Sequence, residues 1–364
     1  MTTIDWTENG SPRTARWHSE NATPAPARVL VVDDRITANA ALRLIRAGTA
    51  LLWRGDFHNA RQLMQALGRR IRREHPADFH AMRAARAERA ELLGRLLVVL
   101  EADHALRLRR APDVRRACDH AYGRAPGARV CVSLPELLGV LGAYQWHLNG
   151  VEVPALDARI HPDYGVFAPV RAEYVDLVAQ APLAPGALAF DIGTGTGVLA
   201  AVLARRGARV VATDINPRAV ACARSTVDQL GLADRVRVVE ADLWPGGRAD
   251  LIVCNPPWLP ARPTSALELG IYDPDSAVLH RFLDGVTAHL TPAGEAWLVL
   301  SDLAERLGLR TRDELLTRMT AAGLRVVDRY DTSPRHPRVT DADDPLHEAR
   351  GNEVTSLWRL VAAT

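Results

Sequence analysis

Apolar positions in the front half of the chain recur at the spacing of an α-helix. Leu63, Leu67 and Ile71 fall on one helical face, and a long run rich in Ala, Leu and Arg extends from about residue 78 to 108. The same periodicity covers most of the stretch from 36 to 147. We therefore expect the front half to fold as a small helical bundle.

Residues 1–27 are mostly polar or small, with Ile4, Trp6 and Trp17 as scattered apolar side chains. That is too little apolar surface to offset the entropy that the chain loses on ordering. The pattern thus predicts a disordered tail at 1–27, followed by a helical domain at 28–149.

The spacing of apolar positions stops being helical near residue 150. Residues 150–170 contain two short extended segments around a turn with Pro and Asp, which predicts a hairpin that links two domains. From 171 to 364 short apolar runs alternate with helical patterns, as in a parallel sheet that is covered by helices on both faces. Five strands are predicted at 187–191, 209–213, 236–240, 250–254 and 295–300.

Two further extended runs, 324–330 and 353–361, end the chain with no helical pattern between them. We expect the last strand to run antiparallel to its neighbour, which completes a seven-stranded, Rossmann-like α/β sheet behind the helical domain. Ligands of such sheets lie beyond the carboxyl ends of the parallel strands. The long connection 331–352, with Arg335, His336, Arg338 and His347, is therefore a candidate for contacting a substrate. The alternative is a solvated connector whose charges contact nothing.

Composition narrows the class of protein. The 364 residues are 48% hydrophobic and 24% charged, which excludes a disordered or collagen-like chain. The sequence has no run of about 18 apolar residues and no signal-peptide pattern at its start, so a cytoplasmic protein without membrane contact is expected. Its four cysteines form no CxxC pair, which argues against a disulfide framework and against a metal site.

All 45 basic residues counted as Lys and Arg are arginines. The absence of lysine excludes Schiff-base chemistry and a Walker-type phosphate lysine. Between residues 28 and 124, 20 arginines face 11 acidic residues, so the front domain is the basic part of the chain. This excess could guide a polyanion such as RNA, but the preferred interpretation is that the arginines lie on solvated helix faces.

A glycine-rich turn runs from Asp191 to Gly197, directly after the first predicted strand of the sheet. Glycines at Gly193 and Gly195 allow a sharp turn and a close approach of a ligand to the backbone. A dinucleotide fingerprint requires a further glycine where this chain has Val198. The turn is thus of the GxGxG kind and does not match the dinucleotide fingerprint.

Acidic residues follow the next two predicted strands. Asp214 lies about 20 residues beyond the turn, where a carboxylate can accept both ribose hydroxyls of an adenosine. Asp242 is placed so that its carboxylate can accept the adenine amino group. The alternatives are a helix N-cap for Asp214, before Asn216, and a solvated loop acid for Asp242.

Asn255-Pro256-Pro257-Trp258 follows the fourth predicted strand of the sheet. The two prolines remove two backbone donors and leave carbonyl and amide oxygens beside an aromatic face, which suits a planar NH2 group. If Asn255 and the Pro256 carbonyl each accept one N–H, the third direction of the nitrogen points at a methyl donor, while Trp258 stacks on the planar group. The alternative is a turn without chemistry.

These features together resemble the class I S-adenosylmethionine-dependent methyltransferases that carry an Asn-Pro-Pro-aromatic motif. The resemblance covers about residues 167–361 and is strongest to the glutamine amide methyltransferases that act on release factors or a ribosomal protein. Those enzymes have an L-x-P-R-x-E-[ST] segment before the glycine turn, and here Phe167-Ala-Pro-Val-Arg-Ala-Glu-Tyr174 occupies that place. The chain departs from their pattern at Val170, at Tyr174 and at Trp258, where Tyr is usual.

The resemblance implies S-adenosyl-L-methionine as the cofactor and the front domain as the part that recognises the substrate. It implies that the cofactor is bound by Asp191, Gly193, Thr194, Gly195, Gly197, Asp214, Ile215, Asp242, Leu243 and Asn255. Asn255, Pro256, Pro257 and Trp258 are the implied catalytic residues. The expected substrate is a glutamine amide of a translation-related protein. The alternatives are an exocyclic amine of an RNA base, a small molecule, and a non-catalytic binding module on the same fold.

Overall fold

The computed structural model describes residues 2–71, 78–265, 267–335 and 346–363. The chain divides into two compact units, Met1–Gln145 and Trp146–Thr364. No helix among the described residues is long and apolar enough to cross a membrane.

The first unit is built on a six-stranded mixed sheet with the strand order β1-β2-β6-β5-β4-β3. Its strands are β1 (Thr3–Glu8), β2 (Ser11–Trp17), β3 (Val29–Val32), β4 (Ala50–Trp53), β5 (Leu96–Leu100) and β6 (Val130–Ser133). The accompanying helices are α1 (Ala38–Arg46), α2 (Phe57–Ile71), α3 (Phe79–Leu93), α4 (Arg115–Tyr122) and α5 (Leu134–Asn149).

The prediction of a disordered tail at 1–27 is wrong, because β1 and β2 form an antiparallel hairpin. Its turn residues, Asn9 and Gly10, both have positive φ, as the favoured two-residue hairpin turn requires. Ile4 and Trp6 alternate with polar residues and are buried on one face of the sheet. A half-buried strand needs no more apolar residues than these, so a low apolar content did not exclude order.

The prediction of a helical domain at 28–149 is also wrong, because β3 to β6 lie within it. Leu63, Leu67 and Ile71 are buried on α2 as expected, but the apolar runs of β4 and β5 are completely buried strands. A short run that is apolar at every position has no two-residue alternation, and its period does not distinguish it from part of a buried helix.

The second unit begins with a short antiparallel hairpin of β7 (Val151–Val153) and β8 (Ala158–Ile160), joined by a 3-10 turn. Val153, Leu156 and Ile160 of this hairpin are buried in the same core as α6 (Ala172–Gln180) and α7 (Val198–Arg205). The predicted linker therefore packs as part of the second unit, which starts earlier than residue 171.

The sheet of the second unit has seven strands in the order β11-β10-β9-β12-β13-β15-β14. In chain order these strands are β9 (Leu188–Ile192), β10 (Arg209–Asp214), β11 (Val236–Glu240), β12 (Ala249–Cys254), β13 (Leu290–Ser301), β14 (Leu324–Thr332) and β15 (Thr355–Ala362). The first five pair in parallel, and β15 runs antiparallel to both β13 and β14. This confirms the predicted seven-stranded sheet with its antiparallel last strand.

Helices cover both faces of this sheet. After α6 and α7 they are α8 (Pro217–Gln229), α9 (Ala277–His289), α10 (Leu303–Arg306), α11 (Arg312–Ala321) and α12 (His347–Gly351). Successive side chains of β9 enter opposite cores, with Ala189 on one face and Phe190 on the other. The central strand β9 is thereby held from both sides, and its carboxyl end, with those of β10 and β12, lies at one edge of the sheet.

Candidate active site

The glycine turn leaves β9 at Gly193 and leads into α7. Gly193, Gly195 and Gly197 all have positive φ, at +72°, +55° and +80°. A Cβ atom added at Gly193 or Gly195 would meet nothing within 4 Å, whereas one at Gly197 would lie 3.1 Å from the Ala223 Cα on α8. The first two glycines therefore border open space, and the third permits close packing of two helices.

Asp191 supports the turn from inside the protein. Its buried carboxylate accepts hydrogen bonds from the Thr194 hydroxyl at 2.6 Å and from the Ala200 backbone N–H at 3.0 Å. Burial raises the pKa of this carboxyl to about 6, the nearby Asp214 charge acts in the same direction, and the two hydrogen bonds oppose the shift. Asp191 and Thr194 thus fix the shape of the loop that Gly193 opens.

Asp214 ends β10 beside this turn. The Gly195 N–H donates to one of its carboxylate oxygens at 2.9 Å, and the Asn216 N–H donates to the other at the same distance. Burial raises the pKa of Asp214, against the effect of these backbone donors. The N-cap of α8 is Asn216, whose side chain accepts from the Arg218 N–H, so Asp214 is not the helix cap. The exposed Ile215 side chain follows it.

Asp242 lies farther out on the surface, after β11. Its carboxylate is paired with Arg281 of α9 at 2.7 Å, and both side chains are half-exposed. The next residue, Leu243, has a φ of +67°, and its carbonyl accepts from the Thr213 hydroxyl at 2.6 Å. Sequence patterns did not indicate Arg281, which is 39 residues from Asp242 and shares no motif with it.

The NPPW segment, Asn255 to Trp258, begins beside the glycine turn. Cys254 at the end of β12 pairs in register with Ile192 of β9, so Asn255 and Gly193 start neighbouring loops at the same edge of the sheet. The Trp258 indole N–H donates to the Asn255 side-chain oxygen at 2.9 Å. Pro256 is buried, while Asn255, Pro257 and Trp258 are half-buried. The parallel pairing of β9 and β12 therefore brings the predicted cofactor loop and the predicted acceptor segment side by side.

Arg171, immediately before α6, lies against this segment. Its guanidinium carbon is 4.5 Å from the centre of the Trp258 ring. The same guanidinium donates to Glu173 at 2.6 Å and to Glu353 at 3.0 Å. Glu353 precedes β15 and is 182 residues from Arg171 in sequence. The sequence interpretation did not find Glu353, because no local pattern connects it to the Asn-Pro-Pro-Trp motif.

Cys254 adjoins Asn255 but is not equipped as a nucleophile. The side chain is buried, and burial together with the charges of Asp191 and Asp273 raises the pKa of its thiol well above the usual range. Only the thiolate is strongly nucleophilic. Cys254 therefore acts as an apolar packing residue of the β12 core.

The predicted substrate-contacting connection 331–352 is only partly within the described chain. Residues 336–345, which include His336 and Arg338, lie outside the described residues. Of the described part, Arg335 lies 3.8 Å from the Asp176 carboxylate on α6. The contact of this connection with a substrate stays a prediction.

A family model described as "Methyltransferase small domain" matches residues 159–309. This range contains the glycine turn, Asp214, Asp242 and the NPPW segment. The matched range ends before Glu353, so it does not include this partner of Arg171.

Several curated relatives are methyltransferases. The release factor glutamine methyltransferase of Chlorobaculum tepidum is 40% identical over 100 residues, which are 24% of this chain and 34% of that protein. The ribosomal protein L11 methyltransferase of Pelotomaculum thermopropionicum is 49% identical over 74 residues, 20% of this chain and 24% of that protein. The chain thus spans about a third and a quarter of the length of these two relatives.

A longer match is the release factor glutamine methyltransferase of Bradyrhizobium diazoefficiens, 31% identical over 265 residues, which are 68% of this chain and 85% of that protein. Among solved structures, a ribosomal protein L11 methylase from Lactobacillus delbrueckii subsp. bulgaricus has a TM-score of 0.40 and 17% identity, over 57% of this chain and 87% of that one. The long match to the Bradyrhizobium protein confirms the resemblance seen in the sequence. This chain belongs to the class I methyltransferase family that includes the release factor glutamine methyltransferases.

Proposed function

We propose that this protein is an S-adenosylmethionine-dependent N-methyltransferase that methylates the side-chain amide of a protein glutamine, in a release factor or a ribosomal protein. The observation that carries the proposal is the register of β9 and β12, which puts the Asn255 amide beside the loop that Gly193 opens. The match to a release factor glutamine methyltransferase over 68% of the chain supports this choice of substrate.

The residues at the glycine turn fit S-adenosylmethionine. Open space at Gly193 and Gly195 leaves room for a ligand against the backbone, and the Asp214 carboxylate borders that space through its bond to the Gly195 N–H. Asp214 accepts from the backbone N–H groups of Gly195 and Asn216, and the several lone pairs of a carboxylate leave acceptor capacity for the ribose hydroxyls. When bound, the cofactor supplies an electrophilic methyl group on a sulfonium sulfur.

The NPPW segment fits a planar nitrogen as the methyl acceptor. The amide lone pair is delocalised, so the nitrogen must be held with its out-of-plane direction toward the methyl carbon. Asn255 keeps one lone pair of its side-chain oxygen after accepting from Trp258, and the Pro256 carbonyl supplies a second acceptor. These two acceptors would take the amide hydrogens and hold the nitrogen toward the methyl group. The bound cofactor would supply that methyl group and leave as S-adenosylhomocysteine, and the nitrogen would release one proton to water.

An RNA base is the second candidate substrate. The tRNA1(Val) (adenine(37)-N6)-methyltransferase of Shewanella loihica is 32% identical over 144 residues, 36% of this chain and 59% of that protein. An exocyclic adenine amine is also a planar NH2 group, and the arginine excess of the first unit favours attraction of phosphates. Under either candidate, the first unit serves to recognise a macromolecule, and the protein acts in the cytoplasm.

The experiment that tests the proposal uses cofactor with a labelled methyl group. The purified protein is incubated with a purified release factor, with ribosomal protein, and with total tRNA and rRNA, and labelled products are digested and analysed by mass spectrometry. We expect a methyl group on a glutamine amide of one of the proteins. Label on an RNA base alone replaces the proposal with the second candidate, and the absence of label from both protein and RNA rejects both.

A further inference from the structure

Arg171 and two buried carboxylates form a charged cluster next to the NPPW segment. The side chain of Arg171 is 11% exposed, that of Glu173 is 1% exposed and that of Glu353 is fully buried. The guanidinium also reaches the Thr355 hydroxyl, at 3.4 Å. Arg171, Glu173 and Glu353 are referred to below as the Arg171 cluster.

The Arg171 cluster joins the start of α6 to the carboxyl edge of the sheet. Glu353 precedes β15 and also accepts from the hydroxyl of Ser301, the last residue of β13. Ser301 in turn accepts from the Leu303 backbone N–H, at the start of α10. The guanidinium of Arg171 is therefore fixed to two strands of the sheet as well as to its own segment.

The cluster has two buried carboxyl groups but only one guanidinium. One oxygen of Glu173 and one of Glu353 are buried and accept no hydrogen bond from any of the described residues. A buried ion pair is weak evidence for a gain in stability, because desolvation offsets most of the attraction. The desolvation free energy that these buried groups cost is instead consistent with a role in positioning, in which the two carboxyl groups fix the direction of the guanidinium plane.

Trp258 lies between this fixed guanidinium and Asn255. The guanidinium carbon is 4.5 Å from the centre of the indole ring, a cation–π distance, and the indole N–H donates to the Asn255 oxygen at 2.9 Å. The oxygen and nitrogen of a carboxamide have similar size, so only hydrogen bonds decide which end faces a given direction. The indole donor selects the rotamer in which the oxygen of Asn255 lies on the Trp258 side.

We infer that the Arg171 cluster positions Trp258, and that the indole N–H of Trp258 fixes the Asn255 carboxamide in the rotamer whose oxygen offers its second lone pair to the methyl acceptor. The inference rests on the proposed function, since it assigns these residues to an acceptor site for a planar nitrogen. Arg171, Glu173 and Glu353 are positioning residues that act through Trp258. A phenyl ring at position 258 does not supply this donor.

The effect on turnover separates this role from simple packing. Trp258→Phe keeps an aromatic face but removes the donor, so kcat with a purified release factor should fall by about 100-fold, as expected for a misplaced reacting group, with a smaller change in KM. Arg171→Lys and Glu353→Gln should lower kcat by about 10-fold. The Kd of the cofactor, measured by calorimetry, should stay unchanged in all three variants.

Glu295→Gln is the matched control. Glu295 accepts from Arg359 at 2.8 Å, which is another partly buried ion pair between β13 and β15. It lies six residues before Ser301 on β13, which is about 20 Å along the strand. Loss of this pair removes a comparable charge contact without touching Trp258, so its kcat should equal that of the wild type.

A spectroscopic measurement tests the inference without any substrate. In protein with 15N-labelled tryptophan, the Trp258 indole N–H signal is the one that Trp258→Phe removes. Arg171→Lys and Glu353→Gln should shift that signal and raise its rate of exchange with water at least 10-fold, while Glu295→Gln should do neither. An unchanged signal in both variants overturns the inference. If the signal moves but the protein methylates no glutamine, the proposed function fails and the positioning of Trp258 stands.

Discussion

The backbone N–H of Gly195 donates a hydrogen bond of 2.9 Å to the Asp214 carboxylate. This bond joins the glycine turn after β9 to the end of β10, the neighbouring strand in the sheet. The two predicted halves of the cofactor site, the open loop and the ribose-binding acid, are thereby held in one arrangement before any ligand binds. Little reorganisation is then needed on binding, which is favourable for affinity.

Asp214→Ala should weaken cofactor binding at least 10-fold. The variant removes an acceptor for the ribose hydroxyls and leaves the Gly195 N–H without its partner, and hydrogen bonds to a charged group contribute about 1.5 to 3 kcal/mol each. Calorimetric titration with S-adenosylmethionine measures the change. Asp228→Ala, at an exposed position of α8, is the control. Equal affinity in the two variants contradicts the assignment of Asp214 to the cofactor.

Two glycine variants distinguish the open side of the turn from its packed side. Gly195 and Gly197 both have positive φ, so alanine costs about 1 to 2 kcal/mol of backbone strain at either position. At Gly197 the added Cβ also presses on Ala223 at 3.1 Å, and Gly197→Ala should give the larger fall in Tm. At Gly195 the Cβ enters the space expected for the cofactor.

Gly195→Ala should therefore lower cofactor affinity more than Gly197→Ala does, although it destabilises the fold less. Thermal unfolding without ligand and calorimetric titration with the cofactor give the two quantities. If Gly195→Ala binds the cofactor as tightly as the wild type, the open space at that glycine does not hold the ligand.

Burial of Asp191 should make the stability of the protein depend on pH. Because its pKa is raised to about 6 in the folded state, the folded protein binds more protons than the unfolded chain between about pH 4 and pH 6. The contribution of this carboxyl to the free energy of unfolding is therefore fully present below about pH 4. It is lost as the pH rises through 6, and the total loss is about 3 kcal/mol.

Asp191→Asn keeps an acceptor for Thr194 and Ala200 but does not titrate. Urea unfolding of both proteins at pH 4.5 and pH 7.5 isolates the effect, since the other carboxyls contribute equally to each. We expect the variant to gain stability relative to the wild type as the pH rises. If the difference in free energy of unfolding between the variant and the wild type is the same at both pH values, Asp191 has no raised pKa.

The part of the site that could be predicted from the sequence is the part that is local in the chain. The turn at Gly193, the acid at Asp214 and the segment from Asn255 each lie at the carboxyl end of a strand, and parallel pairing brings such positions to one edge of a sheet. Glu353 could not be found in this way, because it reaches Arg171 only after β15 has paired with β13.

The errors in the first unit have a different cause. The run Ala50–Trp53 of β4 is apolar throughout because both of its faces are buried, Leu51 and Trp53 in a core with helices, and Ala50 and Leu52 in a core with other strands. Such a run carries no period of its own. For β1 and β2, the Asn9-Gly10 pair was the local signal of a hairpin. The prediction for residues 1–27 rested on their low apolar content alone and did not use that signal.

Asn255→Ala should lower kcat by about two to three orders of magnitude and leave the Kd of the cofactor unchanged. The Asn255 oxygen is needed most when the acceptor nitrogen gives up its conjugation, so its loss acts on the transition state more than on substrate binding. Steady-state kinetics with a purified release factor measure kcat and KM separately. The control is Glu295→Gln, on the same sheet but away from the acceptor segment. Near-normal turnover of Asn255→Ala shows that the NPPW segment is only a turn after β12, and methylation of a planar nitrogen at this site is then rejected.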